Sequence, residues 1–215
     1  MFDDIFGRFY RCSSNDTAEG AAVAYVVSLR NRCWFCADVH EAALHRLGMG
    51  VVGSAIRSCC FGSIANGKVR RAAMWAYAGV GEGEHEWVAA AEEAHFANRV
   101  ANAMGWRGAS RLTPRGMRVW AARRLAGARL QRGEGMAATP AALSGEVERR
   151  IRTHVRAWNG EEPGENRGWV ENYLADLTRR ERAAARLALL TAMASHQVDA
   201  MVREAFRDAF AGERE

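Results

Sequence analysis

Apolar residues recur along this chain at helical spacing, and no segment shows the period-2 alternation of β-branched and aromatic residues that marks a strand. The spacing predicts a first helix over 18–29. Its middle, 21–27, is apolar on every side, as expected of a helix surrounded by others, and Asn15-Asp16-Thr17 offers N-cap chemistry just before it. A second helix is expected over 33–47, closed by Gly48 and Gly50. Shorter helices follow over 54–60 and 68–78, and the glycine-rich segment 79–83 breaks the chain. Next come a long helix over 84–104 ended by Gly105, one begun by Pro114 and running to about 131, and one over 141–158. The last segment, 168–210, is expected to be helical nearly throughout, with a bend or break near Thr178. Its stripe is Ala184, Leu187, Leu190 and Met193. The predicted class is all-α, a helical bundle forming one domain over 1–215.

Composition agrees. The chain has 215 residues, 49% of them apolar, enough for a real core without disulfide staples. It is rich in alanine, and proline occurs only at positions 114, 140 and 163, a balance that favours helix. The net charge of +5 invites a nucleic-acid reading. Against it, Lys68 is the only lysine, and the arginines are interleaved with acids over 146–152 and 179–181 instead of gathering on one face. Asp3 and Asp4 stand where a signal peptide would be basic, and the apolar runs 21–27 and 187–195 are too short to span a bilayer. The expectation is a cytoplasmic protein that binds neither nucleic acid nor membrane. Five cysteines, an odd number, in a reducing compartment do not make a disulfide scaffold, so a pair that does chemistry there is redox-active or metal-binding.

One constellation stands out: Cys33-Trp34-Phe35-Cys36-Ala37-Asp38-Val39-His40. On a helix, positions i, i+3 and i+7 fall within about 60° of one another, so Cys33, Cys36 and His40 share a face. The CxxC lies in the first turn, where free N–H groups and the positive end of the helix dipole favour a thiolate. One thiolate can attack an oxidant and the other can resolve the sulfenic acid into a disulfide. His40, one turn beyond Cys36, is placed to act as general base. Haem attachment needs CxxCH, and Ala37 follows Cys36. A thioredoxin-like site needs a strand before the CxxC, and here the lead-in is helical. Zinc would find three ligands but no second CxxC or HxxxH to complete four. His40-Glu41 begins like HExxH, yet the next histidine is His45, about 140° around the helix. Buried structural thiols remain the alternative to chemistry.

The stretch Val26-Val27-Ser28-Leu29-Arg30-Asn31-Arg32 leading into Cys33-x-x-Cys36-x-x-x-His40 resembles the alkylhydroperoxidase D-like, carboxymuconolactone decarboxylase family. The likeness is strongest over 18–48, with fainter echoes at 95–99 and 183–198. It implies an all-helical, cofactor-free, metal-free protein that assembles as a homotrimer or hexamer and reduces hydroperoxides. Cys36 would be the peroxidatic thiol, Cys33 the resolving thiol and His40 part of the proton relay, with a protein or small-molecule thiol as reductant. The family's relay glutamate stands twelve positions before the first cysteine, which here is Ala21; Glu19 lies about 160° away on the same helix, and Phe35 precedes the second cysteine. Within the same fold, a lyase resembling the lactone decarboxylases would use His40 as the base on a carbon acid. A non-catalytic redox-sensing scaffold is a third possibility.

Other residues carry blander expectations. Cys59 and Cys60 diverge by about 100° if helical, and burial is their expected role. Cys12 is incidental. His95, Asn98 and Arg99 share a helix face and suggest a polar contact between helices, or else the border of a substrate pocket, while the adjacent Glu92 and Glu93 diverge and make no dyad. His196 and Asp199 suggest a subunit contact, and the seven tryptophans, spread singly, suggest core or interface anchors.

Overall fold

The computed structural model describes residues 16–79, 81–106, 143–158, 160–161 and 163–211. Among the described residues the protein is all-α: nine α-helices and two 3-10 turns, with no strand. Cys12 and the helix expected from Pro114 to about 131 lie outside them. None of the described helices is long and apolar enough to cross a membrane.

Where the sequence suggests one domain, the contacts gather into two compact units. The first takes in the described residues through Ala101, the second Asn102–Trp106 and those from 143 onward. The first unit contains α1 (Ala18–Arg30), α2 (Trp34–Arg46), α3 (Gly50–Arg57), a 3-10 turn (Phe61–Ser63), α4 (Gly67–Ala78) and α5 (His85–Ala103) as far as Ala101. Thr17 caps α1, its hydroxyl accepting from the Gly20 N–H at 3.1 Å. Every residue of α1 over 20–28 is buried. Small side chains at 20–22 and 24 let α2, α3 and α4 close around it, so α1 is the axis of this unit.

Three consecutive helices end in the same way, and these ends set the position of the cysteines. In each, the residue after the C-cap is left-handed, and two backbone N–H groups turn back onto the last carbonyls. At the end of α1, Arg32 (φ +52°) donates to Leu29 at 3.1 Å and Cys33 donates to Ser28 at 2.9 Å. At the end of α2, Gly48 (φ +75°) donates to His45 and Met49 to Leu44. At the end of α3, Cys59 (φ +54°) donates to Ile56 and Cys60 to Ala55. Only the middle motif has glycine in the left-handed position, which costs an L-residue about 1–2 kcal/mol.

Gly50 does not close α2, as the sequence suggests, but opens α3. A Cβ there would sit 2.5 Å from the His45 ring, so glycine lets the imidazole pack against the helix start. The helix expected over 54–60 is therefore Gly50–Arg57.

The second unit holds α6 (Gly145–Ala157), α7 (Gly168–Glu171), α8 (Arg179–Met193), a 3-10 turn (Ser195–Gln197) and α9 (Ala200–Phe210). Its core gathers Val147, Val170, Leu174, Leu189 and Met193. The segment 168–210 breaks near Thr178, as expected, and again before Asp199, which makes three helices. A reciprocal capping box between Thr178 and Glu181 starts α8, and Asp199 starts α9 by accepting from the Val202 N–H at 3.0 Å. Asp199 also pairs with Arg167 at 2.7 Å, an interaction inside this unit.

Candidate functional site

The turn between α1 and α2 is three residues long, and Cys33 belongs to both helices. Its N–H closes the end of α1, and its carbonyl accepts the first α2 hydrogen bond, from Ala37 at 2.9 Å. Cys33 is thus the N-cap of α2, and its thiol makes no capping hydrogen bond. Cys36 lies in the first turn, which holds no carboxylate to compete for the positive end of the helix. His40 follows Cys36 by one turn on the same face.

All three side chains are covered: Cys33 is 0%, Cys36 1% and His40 5% exposed. Neither cysteine is in a disulfide. Burial alone pushes the His40 imidazole down to about 4, so at neutral pH it is uncharged and a weaker base than an exposed imidazole. Among the described residues no three His, Cys, Asp or Glu side chains converge to hold a metal ion, this trio included. The structure therefore places two thiols and a neutral base at one buried helix start.

The surroundings contain groups the sequence does not single out. Glu41, next to His40, is buried and accepts from Arg57 Nη2 of α3 at 2.9 Å. The Arg57 guanidinium lies over the ring of buried Tyr25, 5.7 Å from its centre. Burial works against the Arg57 charge, but Tyr25 and Glu41 more than offset it and hold the guanidinium above its ordinary value. A hint was present in the sequence: Glu41 lies four residues after Ala37 and three before Leu44, both core positions, so a carboxylate interrupts the apolar stripe. Ala21, where the family's relay glutamate would stand, is fully buried in the core. Glu19 points to Lys68, 3.8 Å away.

His95 and Asn98 of α5 do form a polar contact with α1 and the turn after it, and Arg99 lies beside them on the same helix. Asn98 is fully buried against Ser28, and the Asn31 amide meets His95 Nδ1 at 2.9 Å. Burial lowers the proton affinity of His95, with Arg99 and Arg30 adding to the effect. Burial likewise lowers that of Arg99. Set against family models, curated proteins and solved structures, the chain matches none of the three.

Cys59 and Cys60 correct an expectation. Both are exposed, because α3 ends at Arg57 and the vicinal pair occupies the turn beyond it. The Cys60 thiol donates to the Ser58 carbonyl at 3.4 Å.

Proposed function

We propose that this protein is a thiol-dependent peroxidase-like oxidoreductase with an alkylhydroperoxidase D-like helical bundle around Cys33, Cys36 and His40. The observation that supports it best is that two buried thiols outside any disulfide and an imidazole kept neutral by burial share the first two turns of one helix. His40 takes the proton of the Cys36 thiol. The thiolate attacks the outer oxygen of a hydroperoxide, the O–O bond breaks, and the alkoxide leaves with that proton as an alcohol. Cys36 is now a sulfenic acid. The Cys33 thiol displaces its hydroxyl, giving the Cys33–Cys36 disulfide and water. A dithiol reductant then returns two electrons and two protons by thiol–disulfide exchange. The same proposal entails a homo-oligomer, trimer or hexamer, which sedimentation velocity measures.

The complete burial of both thiols favours a second reading, in which they are packing residues of a non-catalytic scaffold. Peptide mass spectrometry of reduced protein, before and after one equivalent of cumene hydroperoxide, separates the two. Rapid loss of two hydrogens mapped to Cys33–Cys36 is the expected result. An unreactive pair beside an oxidised Cys59 or Cys60 would remove the peroxidase. A lyase that uses His40 as base on a carbon acid would then be tested by lactone turnover.

A further inference from the structure

A cavity of about 590 Å³ opens beside the N-terminal turn of α2, within the ~300–1,000 Å³ range of small-ligand sites. Its inner wall is aliphatic and aromatic: Val26 and Leu29 of α1, Ile56 of α3 and Phe61 of the 3-10 turn. Trp34, the first residue after Cys33, and Tyr77 of α4 flank it with about half their surface open to solvent, at 43% and 51%. The Phe61 and Tyr77 rings stack obliquely with centres 5.1 Å apart.

Arg30 and Arg57 also line this otherwise apolar cleft, and among the described residues no carboxylate does. Arg57 spends one nitrogen on Glu41, and its buried Nε has no hydrogen-bond partner among the described residues. Arg30 donates Nη1 to the carbonyls of Ala76 and Tyr77 at 3.1 and 2.9 Å. Those carbonyls belong to the last turn of α4, the negative end of its dipole, so they orient Arg30 and offset only part of its charge. Glu41 offsets Arg57, and no carboxylate among the described lining residues offsets Arg30, so these residues leave the cleft a positive charge. An apolar body with a single negative head fits that arrangement. A dianionic phosphate would be only half neutralised, and a neutral amphiphile would leave the guanidinium donors unused.

We infer that this cleft binds an apolar monocarboxylic acid, its chain against Val26, Leu29, Ile56 and Phe61 and its carboxylate on Arg30 and Arg57. The inference does not depend on redox chemistry at Cys33 and Cys36, and its test involves no turnover. Cys59 lines the cleft while its neighbour Cys60 does not, so the pair is a built-in reporter of occupancy.

The full-length reduced protein is alkylated with iodoacetamide in the presence of decanoate below its micelle concentration, and fragment ions distinguish the two sites. At a concentration roughly ten times its Kd, decanoate should slow alkylation of Cys59 by about tenfold and leave Cys60 unchanged. Methyl decanoate, which lacks the charge, should protect about tenfold more weakly. No protection, or equal protection of both cysteines, overturns the site. Equal potency of acid and ester overturns the carboxylate. Protection of Cys59 that grows with protein concentration and ignores decanoate shows a second copy covering the cleft, which also overturns the proposal.

Discussion

Ser28 of α1 and Asn98 of α5 meet side chain to side chain at 3.1 Å, and both are fully buried. The Ser28 hydroxyl also lies 2.7 Å from the Ala24 carbonyl. A hydroxyl has one proton, and the shorter contact claims it. The lone pairs of Ser28 are then free to accept from the Asn98 amide, which requires its nitrogen to face Ser28. That orientation also serves the buried amide nitrogen that otherwise lacks a partner. Ser28→Ala should therefore cost about 1–3 kcal/mol, because it strands a buried donor. Adding Asn98→Leu should recover part of the loss, so that the double variant is more stable than the sum of the two singles. Urea unfolding of the three variants measures this. Strict additivity would show that the contact is not formed.

Arg32 occupies a conformation that suits glycine. Its side chain leaves φ at +52°, and the two hydrogen bonds that follow, Arg32 to Leu29 and Cys33 to Ser28, depend on that angle. Arg32→Gly removes the strain but adds flexibility to the unfolded chain, for a net gain of about 0.5–1 kcal/mol. A β-branched residue tolerates this region worse, so Arg32→Val should lose stability. A thermal melt ranks the three, and the order Gly, Arg, Val is the expected one.

These two sites show what the sequence could and could not reveal. Local signals were legible: Thr17 before α1, Gly48 after α2 and the break near Thr178 before α8 all stand where they were expected. So was the all-round apolar middle of α1. The left-handed positions at Arg32 and Cys59 were not, because neither residue is a glycine. Without the second of them, the helix expected over 54–60 ran on past Arg57 and hid the exposure of Cys59 and Cys60. Side-chain pairs between helices, such as Glu41 with Arg57, escape a reading of spacing along one chain. The common face of Cys36 and His40 follows from helical geometry. Their complete burial is a tertiary fact, since it takes α1 and its neighbours to cover them.

The Glu41–Arg57 pair should matter through its buried member. Glu41 is 3% exposed at its side chain, whereas Arg57 is 31% exposed and partly screened by water. Arg57→Met leaves the carboxylate buried without its countercharge and should cost about 2–3 kcal/mol, less than for a fully enclosed pair. Arg57→Met combined with Glu41→Leu should restore most of that, because no stranded charge remains. Urea midpoints at neutral pH give the comparison, and a double variant as unstable as Arg57→Met would refute the assignment.

His40 should make the fold sensitive to mild acid. In the folded chain its imidazole titrates at about 4, against 6.5 for the ordinary group. As pH falls, the unfolded chain takes up the proton first, so this contribution is undiminished above 6.5 and is lost as pH falls from there towards 4. Stability should drop by about 2 kcal/mol by pH 5 and about 3 kcal/mol by pH 4. His95, also lowered, acts in the same direction. His40→Gln costs stability at every pH but should flatten the slope between pH 6.5 and 4. A slope unchanged by the substitution would place the acid sensitivity elsewhere.

Cys33 and Cys36 should answer oxidant differently when each is replaced. Serine is a favoured N-cap residue, and the Cys33 thiol makes no capping bond, so Cys33→Ser should fold with stability within about 1 kcal/mol of the parent. It leaves the attacking thiol in place but removes the one that resolves it. With cumene hydroperoxide, Cys36 should then gain a single oxygen, trapped as sulfenic acid, where the parent loses two hydrogens across the pair. Cys36→Ser should leave Cys33 unoxidised on the same timescale, because the nucleophile is gone. Reversal of the two patterns would exchange the roles of the thiols. Silence in both variants and in the parent would mean that the buried pair only packs, and His40 would then be the one chemical group at this helix start left to test.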